Sequence, residues 1–251
     1  MPLFDSTQPN DSDADALMRV SEFQREHAEP SRATDADAGS TRLTALNPSL
    51  MQDLLHFERA HRPGEGLDAL EVLAAALRHG RALLIHLQLD YRVIPLAIWP
   101  NDRQMHSPLP LTRLLEMRLP DMRVLRVEPA PEREAGPATA SASDEAPAAV
   151  HVLPLGPLLW ELALRGSREA LLPEIAGAAY HVVPGADLRA LDLSGSLAAA
   201  VTRLAQRTAA LREIAGWPGF DRERAMRMLN GLYLQSALMV TRSHPAALHD
   251  A

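Results

Sequence analysis

The chain has 251 residues, of which 47% are hydrophobic and 4% aromatic, and its formal net charge is −7. That length suits one or two domains with a substantial core, and the abundance of Ala, Leu and Arg favours aliphatic, largely helical packing. The chain contains neither Cys nor Lys, which excludes disulfides, zinc–thiolate sites, iron–sulfur clusters, thiol nucleophiles and catalysis by lysine. The negative charge argues against a protein that coats nucleic acid over its whole surface.

The composition and the first residues indicate a bacterial protein of the cytoplasm. All 25 basic residues are Arg, a usage typical of GC-rich bacterial genomes, and the lack of Cys suits a reducing compartment. Residues 1–5 have neither the basic region nor the long apolar run of a secretory signal. No apolar stretch reaches the roughly 18 residues that span a bilayer, so we expect no contact with a membrane.

Residues 1–45 contain nine acids and four arginines, with few large apolar side chains between them. Such a segment has little to bury against the entropy of ordering, so we predict a mostly disordered acidic tail over 1–45. An amphipathic stretch at 16–23 is able to fold against a partner, although a solvating tail is the favoured interpretation for this stretch too.

Residues 46–128 alternate between helix-like and strand-like patterns. The predicted elements are helices at 48–57 and 67–79, strands at 82–89 and 93–100, a helix at 111–119 and a strand at 122–127. Gly80 ends the second helix, and Pro95 favours an edge or a bulge for its strand. The pattern predicts an α+β domain in which helices back a small antiparallel sheet.

A Pro-, Ala- and Ser-rich linker is predicted at 129–149, followed by a mostly helical domain over 150–245 and a short tail at 246–251. The predicted elements at the start of this second domain are a strand at 151–153, helices at 157–166 and 168–176, a strand at 179–183 and a helix at 188–207.

The second domain ends in a pattern typical of two helices joined by a corner. The first helix carries the letters LREIA at 211–215, and the second begins at Asp221, a good N-cap, and includes RAMRMLNGL at 224–232. A period of 3.6 residues puts Ala225, Leu229 and Leu232 on the buried side. The same period puts Arg224, Arg227, Asn230, Gly231 and Gln235 broadly opposite.

These letters resemble the winged helix-turn-helix superfamily over residues 205–242. The resemblance implies a winged-helix-like fold for the carboxyl-terminal domain, with 238–242 as the first strand of a wing. It leaves two functions open, since such a module binds either protein or DNA.

The first function is that of a regulatory or scaffolding protein that contacts another protein, whose identity the sequence does not indicate. The candidate anchors are Leu234, Leu238, Met239 and Val240. The alternative is a DNA-binding transcriptional regulator that uses the helix at 221–236. Its candidate contacts are Arg224, Arg227, Asn230 and Gln235 to bases and Arg203, Arg207, Arg212 and Arg242 to phosphates. Residues 201–251 hold seven arginines against four acids, which favours phosphate contact. Assembly into a homo-oligomer is left open.

The sequence carries no catalytic or metal-binding signature. Ten histidines are present, but none forms a His-Glu-x-x-His motif. Ser194-Gly195-Ser196 lacks the strand-turn-helix context of a nucleophile elbow, and without Lys there is no phosphate-binding P-loop. We therefore predict a protein that is not an enzyme and uses no cofactor or metal.

Overall fold

The computed structural model describes residues 17–27, 46–60, 67–130, 150–245 and 247, and within them the fold is mixed α+β with an antiparallel sheet, as predicted. The helices are α1 (Val20–Glu26), α2 (Pro48–Ala60), α3 (Ala69–His79), α4 (Leu111–Glu116), α5 (Leu155–Arg165), α6 (Gly195–Gln206), α7 (Leu211–Ala215) and α8 (Arg222–Leu234). The strands are β1 (Leu67–Asp68), β2 (Leu83–Leu89), β3 (Arg92–Trp99), β4 (Gln104–Ser107), β5 (Arg123–Pro129), β6 (His151–Pro154), β7 (Ala179–Val182), β8 (Ala209–Ala210) and β9 (Leu238–Thr241). None of the described helices is long and apolar enough to cross a bilayer.

The larger sheet has six antiparallel strands in the order β1-β5-β2-β3-β4-β6. Every second side chain of β2, from Leu83 to Leu89, is buried on the inner face of the sheet. Helix α3 contacts β1 and β5, and α2 and α5 pack against α3. Asp68 caps the start of α3 and Gly80, with φ at 58°, ends it as predicted.

Pro95 lies opposite His86 in β3, which has a neighbouring strand on each side. The predicted edge position is therefore wrong for the strand as a whole. Because β4 pairs with β3 only at residues 97–99, Pro95 occupies a stretch of β3 that has no β4 partner. The missing N–H of proline is tolerated at such a place.

The chain that follows the predicted linker completes the larger sheet. β6 pairs with β4, with Leu153 opposite Met105, and α5 packs against α3. Most of the buried hydrophobic side chains around both sheets belong to one continuous cluster. The predicted domain boundary at 150 does not match this packing, because β6 belongs to a sheet formed by residues before that boundary. The linker residues 131–149 and most of the tail at 246–251 lie outside the described residues.

The smaller sheet has three short antiparallel strands in the order β8-β7-β9, with α6 packed against β7. Helix α6 begins at Gly195, later than the predicted start at 188. The helix predicted at 168–176 is wrong, since this stretch is a loop with a single short 3-10 turn at Pro173–Ile175. Side-chain hydrogen bonds from neighbouring elements hold the loop in place, as shown below.

Part of the predicted acidic tail is folded. Residues 17–27 contain α1 and lie against the larger sheet, with Leu17 and Phe23 buried. The predicted disorder does not hold for this stretch, because the apolar side chains noted at 16–23 find a surface on the chain itself. Residues 1–16 and 28–45 of the predicted tail lie outside the described residues.

Candidate interaction surface of the carboxyl-terminal helices and strands

Helices α7 and α8 meet at a corner, as the sequence predicts. Leu211 and Ile214 of α7 are buried, as is Ala225 of α8, and the two helices are in contact. The side chain of Asp221 accepts a hydrogen bond from Arg224 N at 2.7 Å and so caps α8. The short helix α7 therefore supports the first turns of α8.

The buried face of α8 is wider than its apolar pattern predicts. Asn230 is 1% exposed; its Oδ1 accepts from Leu172 N at 2.9 Å and its Nδ2 donates to Ala170 O at 2.9 Å. Gly231 lies against Trp160, whose ring would be 2.6 Å from a Cβ at that position. The prediction that Asn230 and Gly231 face away from the core is wrong, because α5 and the loop after it cover that side of α8. In this arrangement Asn230 does not reach a base edge.

The two arginines predicted to contact bases have different surroundings. Arg227 donates through Nη1 to Gly166 O at 2.7 Å and to Leu164 O at 3.3 Å, and its Nε pairs with Glu223 at 2.8 Å. These contacts place a cation at the carboxyl end of α5, where it stabilises the last carbonyls of the helix. Arg224 is exposed. Of the pair, only Arg224 is presented to solvent.

Gln235, the fourth predicted base contact, joins the end of α8 to two other elements. Its Nε2 donates to Gly156 O at 2.9 Å, and its Oε1 accepts from Arg103 Nη2 at 3.0 Å. Arg103 also donates to Leu234 O, at 2.7 Å. Burial lowers the pKa of Arg103. Arg103 and Gln235 thus stabilise the carboxyl end of α8.

Of the arginines predicted to contact phosphate, Arg203 lies in α6 and Arg212 in α7, whereas Arg207 directly follows α6 and Arg242 directly follows β9. Arg203 and Arg207 stand over the ring of buried Trp217, 4.9 and 5.9 Å from its centroid. Arg207 also pairs with a glutamate of α7. Arg212 and Arg242 are exposed, and Arg242 donates to a backbone carbonyl of the loop before β7. The exposed positive charge therefore follows α6 and α7 more than the far end of α8.

The four residues predicted to anchor a protein partner divide into a buried and an accessible pair. Leu234 and Leu238 are 3% and 8% exposed, so both belong to the core and the prediction that they anchor a partner is wrong. Met239 is 47% exposed, and Val240 is half-buried. Leu234 is buried because the end of α8 packs against the rest of the chain.

β9 is an edge strand whose backbone has an open side. Val183 N donates to Ala237 O at 2.9 Å next to the paired stretch of β7 and β9. Antiparallel pairs alternate between hydrogen-bonded and non-hydrogen-bonded positions, so the N–H and C=O groups of Met239 point toward β7. Those of Leu238 and Val240 point outward. Within the described part of the chain no strand pairs with this outer edge.

A buried polar cluster that the sequence reasoning missed joins α3 to the loop after α5. Asp68 accepts a hydrogen bond from Ser167 Oγ, and Glu71 forms an ion pair with Arg168. Arg168 also donates to Ala170 O at 2.9 Å. The acids are signalled by an Asp-x-x-Glu spacing typical of a helix start. Their partners lie nearly a hundred residues further along the chain, so spacing does not indicate them.

In the ranges that the structure describes, no three His, Asp or Glu side chains converge on a position suited to a metal ion. No family model, curated protein or solved structure matches this chain.

Proposed function

We propose that this is a non-enzymatic bacterial protein of the cytoplasm, with a regulatory or scaffolding role, that binds another protein through the outer edge of β9. The observation that carries the proposal is the combination of exposed Met239 with the outward-facing backbone groups of Leu238 and Val240. A strand of the partner would pair with these groups while Met239 supplies apolar contact, which is the mode known as β-strand addition.

The order of elements supports a winged-helix-like carboxyl-terminal unit. α6, β8, α7, α8 and β9 follow one another in the chain, and β8 and β9 belong to the same sheet. β7 lies between β8 and β9 in the sheet. In the chain it comes before α6, whereas a second wing strand would follow β9. In this unit the sheet edge at β9 is accessible, whereas much of α8 is covered, which favours protein contact at the strand over groove insertion of the helix.

Duplex DNA is the alternative ligand, and one feature favours it. The exposed arginines that support it are Arg203, Arg207, Arg212 and Arg224. Because Arg227, Asn230 and Gln235 are engaged inside the protein, α8 is poorly suited to read bases. A DNA complex would depend on phosphate contacts from α6 and α7, and its affinity would fall steeply with salt.

The proposal is tested by placing a photo-crosslinking amino acid at Met239 of the full chain in cells of its source. We expect a discrete adduct with another protein, and its loss in a second variant that also carries Val240→Pro. This proline removes an N–H that points away from β7, so it blocks an incoming strand without breaking the sheet.

The matched control places the crosslinker at Arg189, which is exposed and lies outside both sheets, where no adduct is expected. An adduct at Met239 that survives Val240→Pro in a folded chain would contradict strand addition. A gel shift of duplex DNA by the full chain at low salt, lost in Arg203→Ala/Arg207→Ala, would favour the alternative.

A further inference from the structure

Residues 17–27 lie on the larger sheet in the way that a bound peptide does. Arg19 pairs antiparallel with Arg92 at the start of β3. Two backbone hydrogen bonds of 2.9 Å flank this pair, one donated by Val20 N and one by Val93 N. The extended residues therefore add a short strand to a stretch of β3 that β4 does not reach, and α1 continues across the outer face.

Two apolar side chains anchor the segment. Phe23 is 6% exposed; its ring centroid lies 4.8 Å from that of His86 on β2 and 4.2 Å from that of His27. Leu17, at the other end, is 7% exposed, and its carbonyl accepts from Arg92 Nη1 at 2.7 Å. The surface thus recognises an extended triplet followed by a helical turn with one aromatic residue.

His86 forms the floor beneath Phe23. In the described residues its Nδ1 has no hydrogen-bond partner, and the nearest acid, Glu128, is 3.9 Å away. Burial lowers the pKa of His86; Glu128 opposes this shift, whereas His27 and Arg126 add to it. These surroundings favour the neutral form of the His86 imidazole, which suits contact with the ring of Phe23.

The helical conformation of α1 depends on the contacts of residues 17–27 with the larger sheet. The helix has seven residues, and only Phe23 among them is buried. A helix of that length is not stable by itself in water. The segment is thus held by the two flanking backbone bonds, the contact of Arg92 and the two apolar anchors.

We propose that the groove formed by the start of β3 and by His86 is a second protein-binding site, which the chain's own residues 17–27 occupy as a displaceable ligand. Its external partner is a peptide segment of the same pattern, an extended triplet followed by a helical turn with an aromatic anchor. The site lies on the larger sheet, so its test is separate from that of the β9 edge.

The first experiment uses a fluorescent peptide of residues 16–29 and the full chain carrying Phe23→Ala, which vacates the aromatic position. Fluorescence anisotropy should show binding at least about tenfold tighter than to the unaltered chain, whose tethered segment competes at a high effective concentration. The same peptide with Phe23→Ala is the matched control and should not bind. Equal or absent binding of the unaltered peptide to both folded chains would overturn the proposal.

A second experiment locks the segment in place. Arg19 and Arg92 form a non-hydrogen-bonded pair, the closer type of antiparallel pair, so Arg19→Cys/Arg92→Cys suits a disulfide. The chain has no other Cys. Both states lack the Arg92 contact to Leu17 O and differ only in whether the segment is fixed, so the oxidised chain should bind the peptide more weakly than the reduced chain. Equal binding of the peptide in the oxidised and reduced states would overturn the proposal. This test does not depend on whether the Phe23→Ala chain folds.

Discussion

Replacement of Asn230 by Ala separates the structural role of this residue from a role in reading DNA. The change leaves the buried N–H of Leu172 without its acceptor, which costs about 1–3 kcal/mol. The small cavity left by the side chain adds about 1 kcal/mol. Ala170 O keeps a donor, because Arg168 Nε also bonds to it. We therefore expect Asn230→Ala to lower the free energy of unfolding by about 2–4 kcal/mol.

The loss is measured by urea unfolding and by thermal unfolding of the full chain, where it corresponds to a fall in Tm of roughly 4–16 °C. Arg222→Ala is the matched control, since Arg222 is exposed on the same helix, and should change the Tm by no more than about 1–2 °C. An Asn230→Ala chain with the Tm of the unaltered protein would refute the placement of Asn230 inside the core.

Three further predictions test other parts of the structure. Gly231→Ala should lower the free energy of unfolding in urea by about 1–3 kcal/mol, because its Cβ would meet the ring of Trp160 at 2.6 Å; an unchanged midpoint would contradict the close approach of α5 and α8. Because the pKa of His86 is lowered in the folded chain, the unfolded state takes up a proton there more readily, so stability should fall as the pH drops below about 6.5. Between pH 7.5 and pH 5 the urea midpoint of His86→Gln should fall less than that of the unaltered chain. An equal fall in the two chains would exclude His86 as a source of the pH dependence. Arg103→Ala removes the donor to Leu234 O and should lower the free energy of unfolding by about 1–3 kcal/mol, whereas Arg81→Ala, an exposed control, should leave the urea midpoint nearly unchanged.

Local signals predict several elements of this fold well. Helix α3 follows from its apolar spacing and from Gly80, whose φ of 58° suits a helix end. The pair of β2 and β3 follows from two apolar runs beside a polar corner, and the start of α8 follows from the N-cap Asp221. In each of these cases the signal lies close along the chain, and even the outermost pair of the β2–β3 hairpin, Leu83 and Ile98, is 15 positions apart.

The parts of the fold that the sequence does not predict depend on distant partners. β4 is not predicted, and β6 is predicted as a strand at 151–153 but not as part of the larger sheet. Each has four residues and a weak apolar pattern, so its place in the sheet depends on pairing with the other. The covered side of α8 bears Asn230 and Gly231, which a hydropathy pattern assigns to solvent, whereas the structure uses them for a hydrogen bond and a close helix contact. The sequence at 168–176 predicts a helix, but the structure has a loop there. The side chains of Arg168 and Asn230 donate hydrogen bonds to backbone carbonyls of this loop.

Amide hydrogen exchange along β9 shows whether a partner strand pairs with the outer edge of this strand. In the free chain we expect the amides of Leu238 and Val240, which face outward, to exchange faster than that of Met239, which faces β7. When the partner captured at Met239 is added to the full chain, both outward amides should become protected, because the partner's strand bonds to them. Protection that appears on α8 or α6, with the amides of Leu238 and Val240 unchanged, would contradict strand addition at β9.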